Sequence, residues 1–186
     1  MSVWRSNETA PILPHQNKQS VMTRVFVAAG SNVEAEKNLR LAAEELVKTF
    51  GQIDFSPAYR NVAAGFEGDD FINFVAAFDT ELTVRAVVSE LQRIEGLCGR
   101  ERDAPKWAPR SMDLDILLFG DMICEEPGLI LPRPDLLRRA YMLGPMADIA
   151  GDVVHPLKKK TISELWGSFD RDAHPLTPIE LSLGVR

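Results

Sequence analysis

The sequence predicts an α+β fold, an antiparallel sheet with helices packed on it. Three observations lead there. Runs rich in β-branched and aromatic residues stand at 24–29, 53–59, 71–80 and 111–119, each bounded by turn-forming residues. Two longer stretches, 33–50 and 83–97, repeat apolar residues at helical spacing. Their order, β-α-β-β-α-β, puts two strands side by side in the middle and a helix on either side of them.

The first strand, Arg24–Ala29, reads RVFVAA and ends at Gly30-Ser31-Asn32. Ser31 or Asn32 is placed to cap the following helix. On that helix Leu39, Ala42, Ala43, Leu46 and Val47 make one apolar stripe, and Gly51 closes it. Residues 53–59 read as a second strand and 61–70 as a loop with Gly65 and Gly68. The third strand, FINFVAAFDT at 71–80, is largely apolar, as a central strand is. Val84, Val87, Val88, Leu91 and Ile94 line one side of the second helix. A basic loop then leads to the fourth strand, 111–119, and a turn at Gly120-Asp121. Pro134 suits the first turn of a helix over 135–141, with short helices at 140–150 and 161–166 after it. This is the ferredoxin-like pattern, whose helices lie on one face of the sheet. The chain divides into a disordered N-terminal arm at 1–21, one domain at 22–165 and a loose tail at 166–186, with Met22 a candidate natural start.

A chain of 186 residues is long enough to bury a real core, and its net charge of −6 excludes a global attraction to nucleic acid or anionic membrane. Cys98 and Cys124 form no CxxC pair, which points to a reduced, cytoplasmic protein. His15, His155 and His174 lack the spacing of a zinc site. No apolar run reaches the roughly 18 to 20 residues of a membrane helix, and residues 1–21 lack the apolar centre of a secretory signal. The Gly30-Ser31-Asn32 turn lacks the GxxxxGK[ST] pattern, so it is no Walker-type phosphate loop.

Chemistry concentrates at Arg100–Phe119, RERDAPKWAPRSMDLDILLF. Side chains alternate along a strand, so Asp113 and Asp115 share a face. Paired carboxylates repel unless something positive sits by them, and Mg²⁺ carried on a polyphosphate is a natural partner. Taken alone, such a pair could face water on an edge strand. The apolar Leu114, Ile116, Leu117, Leu118 and Phe119 around it argue for a buried strand, where unpartnered acids are costly. Arg100, Arg102, Lys106 and Arg110 could be a solvated loop face, but Pro105, Trp107 and Pro109 stiffen or anchor that loop. A flap closing over a nucleotide would combine these features, with its arginines on phosphate oxygens the metal leaves uncovered.

Judged singly, Phe71 and Tyr141 read as core residues. Asn73, on the face of Phe71, is harder to bury and carries donors and an acceptor suited to the edge of a heterocycle. Gln92 and Glu95 read as surface. Arg133, Arg138 and Arg139 are anion ligands or helix-surface charges, and the residues alone do not decide between these.

Together these residues resemble the hydroxymethyl-dihydropterin pyrophosphokinase family of folate biosynthesis. The family signature, a basic residue followed by x-[GA]-[PSAE]-R-x-x-D-[LIV]-D and two aliphatic positions, is matched without gaps from Lys106 to Leu117. Gly30-Ser31-Asn32, Phe71-Ile72-Asn73, Gln92–Glu95 and the segment from Leu131 to Pro145 also look like the family, and the likeness spans about 24–157. The resemblance implies a cytoplasmic monomer that uses ATP and two Mg²⁺ ions to move a diphosphoryl unit onto a dihydropterin, with neither nucleic acid nor membrane as partner. Asp113 and Asp115 would hold the metals, and Arg100 and Arg110 would neutralise the transferred group. Arg102 and Trp107 would close the loop, while Arg133, Arg139 and Ile116 would meet ATP. Phe71 and Tyr141 would sandwich the pterin, Asn73 would read its edge, and the loop at Ala64 would touch it. The chain departs from the family in carrying Arg133 where histidine is usual, Phe71 and Tyr141 with their aromatic types exchanged, and Asn61-Val62-Ala63-Ala64 in the pocket loop. The alternative is a paralogue that binds nucleotide and a pterin-like ligand without turnover or with altered specificity.

Overall fold

The computed structural model of the chain describes residues 21–61, 69–99 and 111–185. Strand β1 (Thr23–Ser31) lies at the centre, antiparallel both to β4 (Phe71–Thr80) and to β5 (Asp113–Phe119). Beyond β4 come β2 (Ile53–Phe55) and β3 (Ala58–Asn61), and β3 is covered by β8 (Thr177–Ile179). The sheet order is β5-β1-β4-β3-β8, with β2 also on β4. A hairpin of β6 (Cys124–Glu126) and β7 (Leu129–Leu131) stands apart. The α+β class with an antiparallel sheet is as the sequence predicts.

One strand expected over 53–59 is two. The backbone N–H of Ser56 donates to Val75 and its hydroxyl accepts the Val75 N–H, so a side chain replaces the ladder at that point. Pro57, which has no N–H to give, follows and separates β2 from β3.

Helices α1 (Ala35–Phe50) and α2 (Val84–Leu97) cover one face. Leu39, Ala42, Ala43, Leu46, Val87, Leu91 and Ile94 from the predicted stripes are buried there against Phe74 and Phe78. The expectation of helices on one face only is corrected by α3 (Ala140–Ala150) and α4 (Ile162–Gly167) on the other. The reason is the composition of the central strands. Phe26, Ala28, Val75 and Ala77 are as apolar as their alternating neighbours, so both faces must be covered. Met142, Leu143 and Met146 of α3 supply that cover, each buried side chain contributing about 1.5–3 kcal/mol.

Helix α1 begins later than expected, after Glu34, and no side chain caps it. Ser31 is inside β1, where its hydroxyl reaches the carbonyls of Val33 and Ser111, and the Asn32 amide donates to Asp69. The helix expected over 135–141 is a single 3-10 turn, Pro134–Leu137, ahead of α3. Residues from 166 on, expected as a loose tail, instead supply β8 and pack further. Leu181, Leu183 and Val185 lie against the α1-side core, and Arg40 Nε donates to Ser182 at 2.8 Å. Among the described residues no helix is long and apolar enough to cross a membrane.

Candidate active site

The acidic pair lies on β5, an edge strand whose alternation is broken once. The register with β1 shifts between Phe26 and Val27, which leaves Leu117 as an extra residue. Leu117 and Leu118 therefore both enter the α3-side core, whereas Leu114 and Ile116 enter the α1-side core. Asp113 and Asp115, at the alternate positions before the bulge, share the α3 side and are only partly exposed.

A row of residues runs across the sheet from that pair. Asp113 is opposite Gly30, Gly30 is opposite Asn73, and Asn73 is opposite Tyr59. Gly30 has a job the sequence did not reveal. A Cβ there would stand 2.6 Å from Asn73 Oδ1, so only glycine leaves room for that amide. Asn73 is 4% exposed, and its Nδ2 donates to Asn61 Oδ1 at 2.5 Å. The buried amide is thus oriented between the acids and β3.

The outer edge of β5 is held by two contacts. Glu95, expected on the surface, is buried on α2, and its carboxylate accepts the Leu114 N–H at 2.8 Å. That bond fixes the backbone between the two aspartates. On the far side of Asp115, the Arg133 N–H donates to Leu117 O at 3.0 Å. Its guanidinium then meets Asp115, Nη1 to Oδ1, at 3.0 Å, and its Nε lies 3.6 Å from Asp135.

Tyr141 of α3 senses the same charges. Burial raises its phenol, Arg139 opposes that, and Asp135, Asp115 and Asp113 push the same way as burial. Tyr59 closes the row from the other end. Its hydroxyl donates to Asp148 of α3 at 2.7 Å, and burial, with that bond, pushes its pKa up to about 12.

Two carboxylates, one of them paired with Arg133, a buried amide in register and the Tyr141 ring packed on the same side of the sheet gather charged, polar and aromatic groups of the kind that line ligand sites. A profile of the 7,8-dihydro-6-hydroxymethylpterin-pyrophosphokinase (HPPK) family matches residues 26–151. The chain belongs to that family. The 2-amino-4-hydroxy-6-hydroxymethyldihydropteridine pyrophosphokinase of Pseudomonas aeruginosa is 37% identical over 140 residues, 73% of this chain and 86% of the relative. Its namesake from Aquifex aeolicus is 33% identical over 145 residues, 77% of this chain and 90% of the relative. The HPPK-DHPS of Plasmodium falciparum, solved with pteroate, shares the fold at a TM-score of 0.62 and 14% identity. That likeness covers 81% of this chain but 43% of the Plasmodium one, so the chain spans less than half of that longer protein.

For an HPPK chain, the predicted residues are brought together unevenly. Asp113, Asp115, Asn73, Phe71 and Tyr141 converge on the α3 side, Phe71 by its place two residues before Asn73. Arg139 is exposed and flanks Tyr141 at the start of α3. The Ile116 side chain does not join them, since it is 7% exposed in the α1-side core. Arg100, Arg102, Lys106, Trp107, Arg110 and Ala64 lie outside the described residues. A cleft of about 580 Å³ opens at the start of α1 and is lined in part by Asn32, Glu36, Arg60 and Asp70, none of them a predicted site residue.

Among the described residues no three His, Cys, Asp or Glu side chains gather as a metal cage. The donor set fits Mg²⁺ all the same. This ion usually keeps several waters and takes one or two carboxylates plus substrate phosphates, which is what Asp113 and Asp115 offer.

Proposed function

We propose that this chain transfers the β,γ-diphosphoryl unit of ATP to the hydroxymethyl group of 6-hydroxymethyl-7,8-dihydropterin, releasing AMP, in folate biosynthesis. The hydroxyl oxygen bonds to the β-phosphorus while the bond from that phosphorus to the α–β bridging oxygen breaks. AMP leaves with the bridging oxygen, and the hydroxyl proton passes to solvent. The observation that carries the reading is the placement of Asp113 and Asp115 on one face of β5, in register through Gly30 with the buried Asn73 amide. Acids for a metal-bound polyphosphate and an amide for a heterocycle thus stand a strand or two apart.

Asp113 and Asp115 are the residues to hold two Mg²⁺ ions, which would neutralise phosphate charge and orient the chain of phosphates. Arg133 and Arg139 supply cationic partners for the triphosphate from the end of β7 and the start of α3. Asn73 offers its amide to the pterin edge while Phe71 and Tyr141 take its faces. Arg100 and Arg110 are assigned to the transferred group and Arg102 and Trp107 to loop closure, by the family likeness alone. The Ala64 segment is assigned to the pterin and Ile116 to the adenine on the same ground. With charge stabilised this way, a strong protein base is not required. The free Cys98 and Cys124 suit a reducing compartment, and we place the reaction in the cytoplasm, in a monomer.

Incubation with ATP, Mg²⁺ and 6-hydroxymethyl-7,8-dihydropterin tests this directly. The expected products are AMP and the pterin diphosphate in equal amounts. Binding of both substrates without AMP would make the chain a non-catalytic paralogue.

A further inference from the structure

Arg133 stands between two carboxylates. Its Nη1 bonds Asp115 Oδ1 at 3.0 Å, and its Nε faces Asp135 at 3.6 Å, too far for a hydrogen bond. That Nε is buried and has no hydrogen-bond partner. A buried N–H of a charged group without an acceptor is costly, so the guanidinium sits in a compromise that a better acceptor would relieve. The backbone around it is fixed, by the Arg133 N–H on Leu117 O and by the fully buried Leu136 in the next turn. Freedom to change partners therefore belongs to the side chain.

The guanidinium and a divalent cation compete for Asp115. Lone pairs of Oδ1 given to an N–H are poorer donors to a metal, and two positive charges a few ångströms apart repel where little water separates them. A polyphosphate reverses that balance. It offers the guanidinium a forked acceptor that can engage both Nη1 and the orphaned Nε, and its negative charge lets metal and arginine stand close together.

We propose that Arg133 is a resident counter-ion of Asp115 and yields its hold on that carboxylate to the metal when a polyphosphate takes the guanidinium. Metal and nucleotide then bind as a coupled pair, and free divalent cation is held poorly. This rests on the pyrophosphokinase reading of the site and adds a positioning role for one side chain. By reciprocity, the factor by which nucleotide tightens the metal equals the factor by which metal tightens nucleotide.

The test uses the full chain with Mn²⁺ in place of Mg²⁺, followed by calorimetry and by the electron paramagnetic resonance signal of free Mn²⁺. Titrations are run with Mn²⁺ alone and with Mn²⁺ plus α,β-methylene-ATP. The parent protein is expected to bind Mn²⁺ at least about tenfold tighter with the analogue than without it. Arg133→Gln is expected to tighten binding of Mn²⁺ alone at least about fivefold and to shrink the coupling by a similar factor. Arg133→Lys, which keeps the charge but not the forked donor set, is expected to hold Mn²⁺ alone as poorly as the parent and to recover only part of the coupling. Should Arg133→Gln be too unstable to titrate, Arg133→Met keeps the aliphatic stem and serves the same comparison. Unchanged Mn²⁺ affinity and coupling in the uncharged variant overturns the proposal, while analogue binding by the parent leaves the pyrophosphokinase reading standing. A parent protein that takes no analogue in the presence of Mn²⁺ removes that reading and this proposal with it.

Discussion

Asp115 and Gly30 show how much rests on single side chains. Asp115 is bonded to Arg133 at the partly exposed end of β5, and its carboxylate contributes charge rather than core packing. Asp115→Ala is expected to reduce ATP-dependent turnover on the order of a thousandfold. Its thermal unfolding should stay within a few degrees of the parent, as no buried apolar contact is lost. Turnover surviving in Mg²⁺ would remove the metal assignment. Gly30→Ala is a steric experiment. The new methyl would meet Asn73 Oδ1, which cannot easily swing away because its amide is bonded to Asn61 in a buried setting. The expected result is a destabilisation of about 1–3 kcal/mol. The KM for the pterin should rise while that for ATP stays near the parental value. Asn73 as a polar side chain that needs a partner inside an apolar strand was legible from its residue type. Gly30 was not, because its partner in space is more than forty positions away and only the β1–β4 register joins them.

Elements in this protein are finished by side chains that local sequence does not advertise. The segment after α3 turns on His155, which is 2% exposed. Its Nδ1 accepts the backbone N–H groups of Leu157 and Lys158 at 3.2 and 3.3 Å. Burial first, and the Lys158 charge second, lower its pKa below the ordinary 6.5. The folded state thus binds a proton less readily than the unfolded chain. Stability from this group is complete above pH 6.5 and falls as the pH drops below that value toward the folded pKa. Urea unfolding should show its midpoint declining from pH 7 to pH 5.5. In His155→Asn, whose amide oxygen can accept but does not titrate, that decline should flatten; an unchanged slope would assign it to other groups. Helix spacing exposed α1 and α2 to prediction because their stripes are regular. The split of 53–59 escaped prediction because a Ser56 hydroxyl and the Val75 backbone, far apart in sequence, make the break together.

Over the whole molecule, three layers are tied at the β3 edge by the segment that follows α4. Without β8, the outer backbone groups of β3 would face solvent. The contacts of Leu181, Leu183 and Val185 with the α1-side core would go as well. Truncation after Asp170 is therefore expected to cost on the order of 3 kcal/mol in chemical unfolding. Size-exclusion chromatography should also show concentration-dependent association through the bared edge. A truncated chain as stable and as monodisperse as the parent would make the segment dispensable.

By itself the sequence determined the α+β class, the two helices between the strands and the Asp113–Asp115 pair, because alternation and helical periodicity are local properties of the chain. Tertiary structure alone decided that α3 and α4 cover the second face, since the apolar central strands call for cover without saying which distant helix will pack there. It also decided that Glu95 turns inward to the backbone between the acids, and that Arg133 answers Asp115. Each of these depends on contacts between segments remote in sequence, and charge or residue type does not say which partner a folded chain will bring within reach.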